Sequence, residues 1–174
     1  MTTKGIDFAT LSLKDALDLA VLIEEEARER YEEFADQMDL HRTPEAARFF
    51  RFMAGNEEKH RLELAAKRRS LFHGEPSAVT RQMLFDVEAP EYDEARAFMT
   101  PREALQAAFR AEKKAYAFFN ESLPRVREPG VKALFEELRA EEIHHQQLVL
   151  AELERTPPDS VLEADDVADD PVAQ

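Results

Sequence analysis

The chain has no cysteine among its 174 residues, which excludes disulfides, zinc ribbons, thiol nucleophiles and thiolate-bound iron within it. Glycine is scarce, at 4, and no stretch alternates apolar with polar residues over strand lengths, which argues against a β fold. No apolar run approaches the ~20 residues that a membrane-spanning helix needs. The N-terminus also lacks a basic segment leading into an apolar one. The expectation is therefore a soluble, cytoplasmic protein with no membrane partner. Bases are in deficit too: 23 Lys and Arg stand against 37 Asp and Glu, giving a net charge of −14. Such a surface repels phosphate backbones, so nucleic acid is not an expected partner.

What the sequence does contain is amphipathic helix. With 44% hydrophobic and 34% charged residues it has the composition of a helical bundle, and its length suits one domain with a sufficient core. After a short lead-in over 1–11, Ser12 with Asp15 resembles a capping box opening a first helix over about 13–40. Its apolar seam runs Leu13, Leu17, Ala20, Glu24, Ala27, Tyr31, Phe34 and Met38 in steps of three and four. Thr43-Pro44 reads as cap and first residue of a second helix to about 72, with the seam Ala46, Phe50, Met53, Glu57, His60, Leu64 and Leu71 and with Gly74 ending it. A long connection over 73–100 follows, in which Arg81–Val87 reads as either a short helix or an extended run. Thr100, Pro101 and Glu103 open a third helix over about 101–122, with the seam Leu105, Ala108, Glu112, Ala115 and Phe119. A fourth helix over about 130–155 carries Leu134, Leu138 or Glu137, Glu141, His144 and Leu148, and Pro157-Pro158 stops it. The organisation expected is an all-α, antiparallel four-helix bundle over 1–155 with a long crossover between helices two and three. Residues 156–174, with six acids and no base, are expected to form a disordered acidic tail.

Charges stand on these seams in a repeated pattern. Glu57-Glu58-Lys59-His60 and Glu141-Glu142-Ile143-His144 each place a Glu three residues before a His, and side chains three apart share one helical face. Glu24-x-x-Ala27-x-x-x-Tyr31 has the spacing of Glu112-x-x-Ala115-x-x-x-Phe119, so the chain reads as two helix pairs related by a pseudo-two-fold axis. Folding them together brings four Glu and two His into one core layer. Four uncompensated carboxylates there would repel one another or take up protons. Two divalent cations bring the charge of Glu24, Glu57, Glu112 and Glu141 to zero.

A single seam Glu is more often paired with Arg or Lys, and a single core His more often hydrogen-bonded, but six positions matching one layout point to a two-metal site. Oxygen and imidazole donors suit Fe, with Mn or Zn possible. Glu57 and Glu141 are read as bridging donors, His60 and His144 as one donor per ion, and Glu24 and Glu112 as the remaining carboxylates. Tyr31 is read either as plain core or as a hydroxyl bonded to a carboxylate of the other half. His41 and His73 fall at helix ends, His145 lies ~100° around the helix from His144, and Glu58 and Glu142 are read as facing away.

At these residues the chain resembles the rubrerythrin branch of the ferritin-like di-iron proteins. Glu24-Glu25-Glu26-Ala27-Arg28-Glu29-Arg30-Tyr31, Ala54-Gly55-Asn56-Glu57-Glu58-Lys59-His60 and Ala140-Glu141-Glu142-Ile143-His144 carry the likeness, which spans about residues 10–155. The resemblance implies two Fe ions per chain and a ferroxidase- or peroxidase-like oxidoreductase in iron handling or oxidative-stress defence. Fe(II) and O2 or H2O2 would be the substrates, and the assembly a homodimer or higher homo-oligomer. Its alternative is an iron-storage subunit of a ferritin-like cage or an encapsulated one. Three departures follow. The chain lacks a Cys-rich rubredoxin domain, so electrons come from iron itself or an external donor. Ala115 stands where the family often has a further Glu, which implies a nearly symmetric site. Glu58 stands where bacterioferritins carry a haem-binding Met, which argues against haem.

Overall fold

The computed structural model describes residues 6–83 and 100–158. They form four long helices: α1 (Leu13–Leu40), α2 (Pro44–Phe72), α3 (Pro101–Ser122) and α4 (Pro129–Arg155). Short 3₁₀ turns lie at Arg81–Met83 and Leu123–Arg125. Arg81–Met83 covers the start of the ambiguous Arg81–Val87 stretch. The rest of that stretch, and the acidic segment beyond 158, lie outside the described residues.

Local chemistry accounts for the helix ends. Ser12 accepts from the Asp15 amide, Thr100 and Glu103 form a reciprocal capping box, and Glu128 accepts from the Val131 amide at 2.6 Å. Thr43 departs from the reading as a cap, since its hydroxyl makes no cap bond to α2. It donates instead to the Met38 carbonyl at 2.9 Å, closing the three-residue turn between α1 and α2, where Arg42 adopts a φ of 58°. At the far end of α2 the left-handed residue is His73, with a φ of 51°, not Gly74.

The core is divided in two. One apolar cluster contains Phe8, Leu17, Ile23, Leu64, Phe119 and Phe135; the other contains Tyr31, Phe34, Phe50, Met53, Leu105 and Val149. Every helix crosses from one cluster to the other, and the order of crossing gives the topology. Helices α1 and α4 run from the first cluster to the second; α2 and α3 run from the second to the first. Because α2 and α3 are parallel, the link between them must return the length of the bundle, about 43 Å for a 29-residue helix. Its first part is tied down along α1: Lys14 Nζ donates to the Pro76 carbonyl at 3.0 Å, and Arg81 pairs with Glu29 at 2.8 Å and Glu25 at 3.3 Å. Arg68 of α2 joins the same seam, donating to Asp18 at 2.7 Å and to the Glu75 carbonyl at 2.6 Å.

The lead-in contributes more than its sequence suggests. Phe8 is 2% exposed and packs edge-on to Phe118 and Phe135, with ring centroids 5.8 and 6.2 Å away, while the Arg125 guanidinium covers its outer face. It closes the end of the first cluster.

Candidate metal centre

Between the two apolar clusters lies one charged layer. Glu24 from α1, Glu57 from α2, Glu112 from α3, and Glu142 and His145 from α4 are all 5% exposed or less. His60 enters from α2 and Glu141 from α4, both partly exposed. Their donor atoms fall into three overlapping groups, each within 4.8 Å: Glu57, His60 and His145; Glu24, His60 and Glu141; Glu112, Glu142 and His145.

The contacts show how the layer is held. His145 Nδ1 lies 3.3 Å from Glu57 Oε1 and 3.6 Å from Glu112 Oε2. His60 Nδ1 lies 3.9 Å from Glu24 and 4.0 Å from Glu141, and makes no hydrogen bond. The two imidazoles stack with centroids 5.4 Å apart and planes 12° from parallel. Tyr31 of α1 donates its hydroxyl to Glu112 Oε1 on α3, and Gln146 Nε2 donates to the Glu112 carbonyl at 3.3 Å. Of the two readings of Tyr31, the structure shows the bonded one.

The structure brings Glu24, Glu57, His60 and Glu112 together as the seams require, but α4 is rotated by one residue from the sequence reading. His144 is exposed and His145 is buried; Glu142 is buried and Glu141 only partly so. The sequence Glu141-Glu142-Ile143-His144-His145 contains two overlapping Glu-x-x-His pairs, about 100° apart on the helix. The inner face of α4 selects the second, through Val131, Leu134, Leu138, Glu142, His145 and Val149. In the sequence, continuing the inner face to Val149 rather than Leu148 is the signal that favours the second pair. Glu58 does face outward, bonded by Arg61 at 2.7 and 2.8 Å. Glu137 pairs with Lys67 at 3.7 Å at the surface. The layer is symmetric in donor number but not in burial: Glu112, Glu142 and His145 are all buried, whereas His60 and Glu141 are partly exposed, and Ala115 of α3, fully buried, contributes no donor.

Electrostatics follow from five carboxylates and two imidazoles sharing little water. Burial pushes the Glu24 carboxyl up to about 7, with Glu141 and Glu112 adding to the rise and hydrogen bonding to Glu57 opposing it. Burial also works against ionisation of Glu112, yet hydrogen bonds from His145, Glu142 and Tyr31 outweigh it and hold this carboxyl below its ordinary range. His145 is raised in spite of its burial, because Glu112 faces it. Burial and the nearby His145 lower His60. Without metal, these shifts favour protons on Glu24 and His145 and a carboxylate on Glu112.

The rubrerythrin family model matches residues 15–153, and the chain belongs to that family. The bundle is accordingly ferritin-like. An uncharacterised conserved protein of Magnetospirillum magnetotacticum MS-1 is similar in structure. Its TM-score is 0.72 at 31% sequence identity, over 87% of this chain and 99% of that one. No curated protein matches.

Proposed function

We propose that the charged layer holds two divalent metal ions, iron in the working protein, and that the chain oxidises Fe(II) with O2 or H2O2. The observation that carries this reading is the set of three overlapping donor groups buried between two apolar clusters. The donors fit the metal. They are carboxylate oxygens and imidazole nitrogens, as hard and borderline divalent ions prefer, and His60 Nδ1 faces two carboxylates without a hydrogen bond of its own. Glu24 and His60 would serve one ion, and Glu112, Glu142 and His145 the other. Glu57 groups with both histidines and would span the two.

Bound there, iron would supply the redox chemistry: reducing one H2O2 to two waters takes two protons and two electrons, one from each of two ferrous ions. The chain's own residues supply position and exclusion. Tyr31 fixes Glu112 by holding Oε1, which leaves Oε2 turned toward His145. The clusters above and below keep bulk water from the buried part of the layer, so charges there interact more strongly than they would in solvent.

The test is anaerobic loading with Fe(II), then stopped-flow mixing with O2 and, separately, H2O2. Rapid oxidation of about two iron equivalents per chain by at least one oxidant is expected. Oxidation no faster than that of free Fe(II) would overturn the reading.

A further inference from the structure

We infer that the two metal positions are unequal in access: Glu141 is a seventh donor that completes the set of the ion beside His60, as Glu142 does for the other, and the cavity it lines with His60 is the route by which a hydrated divalent cation enters. This rests on the two-metal reading above.

The donors differ in burial from one side of the layer to the other. Glu112, Glu142 and His145 are all buried, whereas in the group of Glu24, His60 and Glu141 only Glu24 is. Glu141 keeps 36% of its side chain exposed, yet its Oε2 lies 4.0 Å from His60 Nδ1. Consecutive residues on a helix point about 100° apart. So Glu142 turns into the closed position while Glu141 reaches toward α2 and the open one. A single helix thereby serves both ions with adjacent carboxylates.

Outside His60 and Glu141 lies a cavity of about 90 Å³ between α2 and α4. Leu64, Leu134 and Leu138 wall it, and Glu63, Glu137 and Lys67 stand around it. Lys67 pairs with Glu137 at 3.7 Å and Lys59 reaches Glu63 at 3.9 Å, so with Glu141 three carboxylates stand against two lysines and the net charge is negative. A space of that size holds a few waters, enough for a small cation shedding its hydration but not for an organic substrate. Glu141 stands between this space and the layer, where a donor with a partly exposed arm can take up an ion from solvent and pass it to His60 and Glu24.

Cobalt(II) is a suitable probe, because its visible absorption reports coordination and no oxidant is needed. The wild-type chain is expected to take up two equivalents anaerobically, in two distinguishable steps. Glu141→Gln should weaken one step tenfold or more and leave the other unchanged. Glu141→Asp, which keeps the charge on a shorter arm, should show the same selective loss. The double variant Glu63→Gln/Glu137→Gln should slow association at low salt severalfold without changing stoichiometry. Two unchanged steps in Glu141→Gln, or full recovery in Glu141→Asp, would overturn the assignment of Glu141 as a donor. An unchanged association rate in the double variant would overturn the entry route. If the wild-type chain itself binds fewer than two ions, the two-metal reading falls and this inference with it.

Discussion

Tyr31 on α1 donates its phenol hydrogen to Glu112 on α3, so the first helix of one hairpin fixes a carboxylate on the first helix of the other. The matching place in the second half is Phe119, which is buried in the first apolar cluster and has no hydroxyl to return. The likeness of the two halves in sequence spacing therefore does not extend to this hydrogen bond.

Tyr31→Phe keeps the ring and removes that bond. Leaving a buried carboxylate oxygen without its donor costs about 1–3 kcal/mol, and this loss should appear in urea melts of the metal-free protein. The stoichiometry of bound metal should not change, because Glu112 is still present. A variant as stable as wild type would mean that the phenol contributes only packing.

The register of α4 makes a prediction in neighbouring residues. His144→Ala alters an exposed side chain and should shift stability by no more than about 0.5 kcal/mol, with both metals retained. His145→Ala should lose at least one metal equivalent. Metal analysis of the two purified variants checks this directly, and the reverse outcome would restore the register read from the sequence.

Protons and metal compete for the same atoms. The folded Glu24 carboxyl titrates near 7 against an ordinary value of 4.5, so between these values the folded state holds a proton that the unfolded state has released. Its contribution to stability is complete below pH 4.5 and is lost as pH rises through 7. His145, also raised, acts in the same direction. The metal-free protein should melt at a higher temperature at pH 5.5 than at pH 8, and Glu24→Gln should reduce that difference. The metal-loaded protein should show the opposite trend, since metal displaces these protons. Parallel pH profiles for the two forms would contradict the account of the layer.

Phe8→Ala opens the end of the first cluster. Deleting a buried phenylalanine costs about 3–5 kcal/mol, so a thermal or urea melt should show a loss of that order while the bound metal stays at wild-type level.

Most of the fold is legible because its signals are local. Seams in steps of three and four mark the helices, Ser12 with Asp15 and Thr100 with Glu103 mark two starts, and prolines mark the breaks. The length of the 73–100 link is explained by the parallel course of α2 and α3. What was not legible depends on tertiary packing. The phase of α4 is ambiguous wherever Glu-Glu and His-His both double a position, and only the choice of buried neighbours settles it. Phe8 is a lone aromatic outside any periodic run, so nothing in the sequence ties it to Phe118 and Phe135. Thr43 has the residue type of a cap but spends its hydroxyl on the turn behind it. The openness of the His60 side depends on Glu141 lying off the inner face of α4, which the same packing decides.

The central claim is that this layer, with His145 and not His144, holds two metal ions. The most direct test is a crystal grown with iron and measured at the iron absorption edge. The account predicts two anomalous peaks within the layer between the apolar clusters, one touching His60 and the other His145, both near Glu57. No peak in the layer, a single one, or a peak on His144 would contradict it.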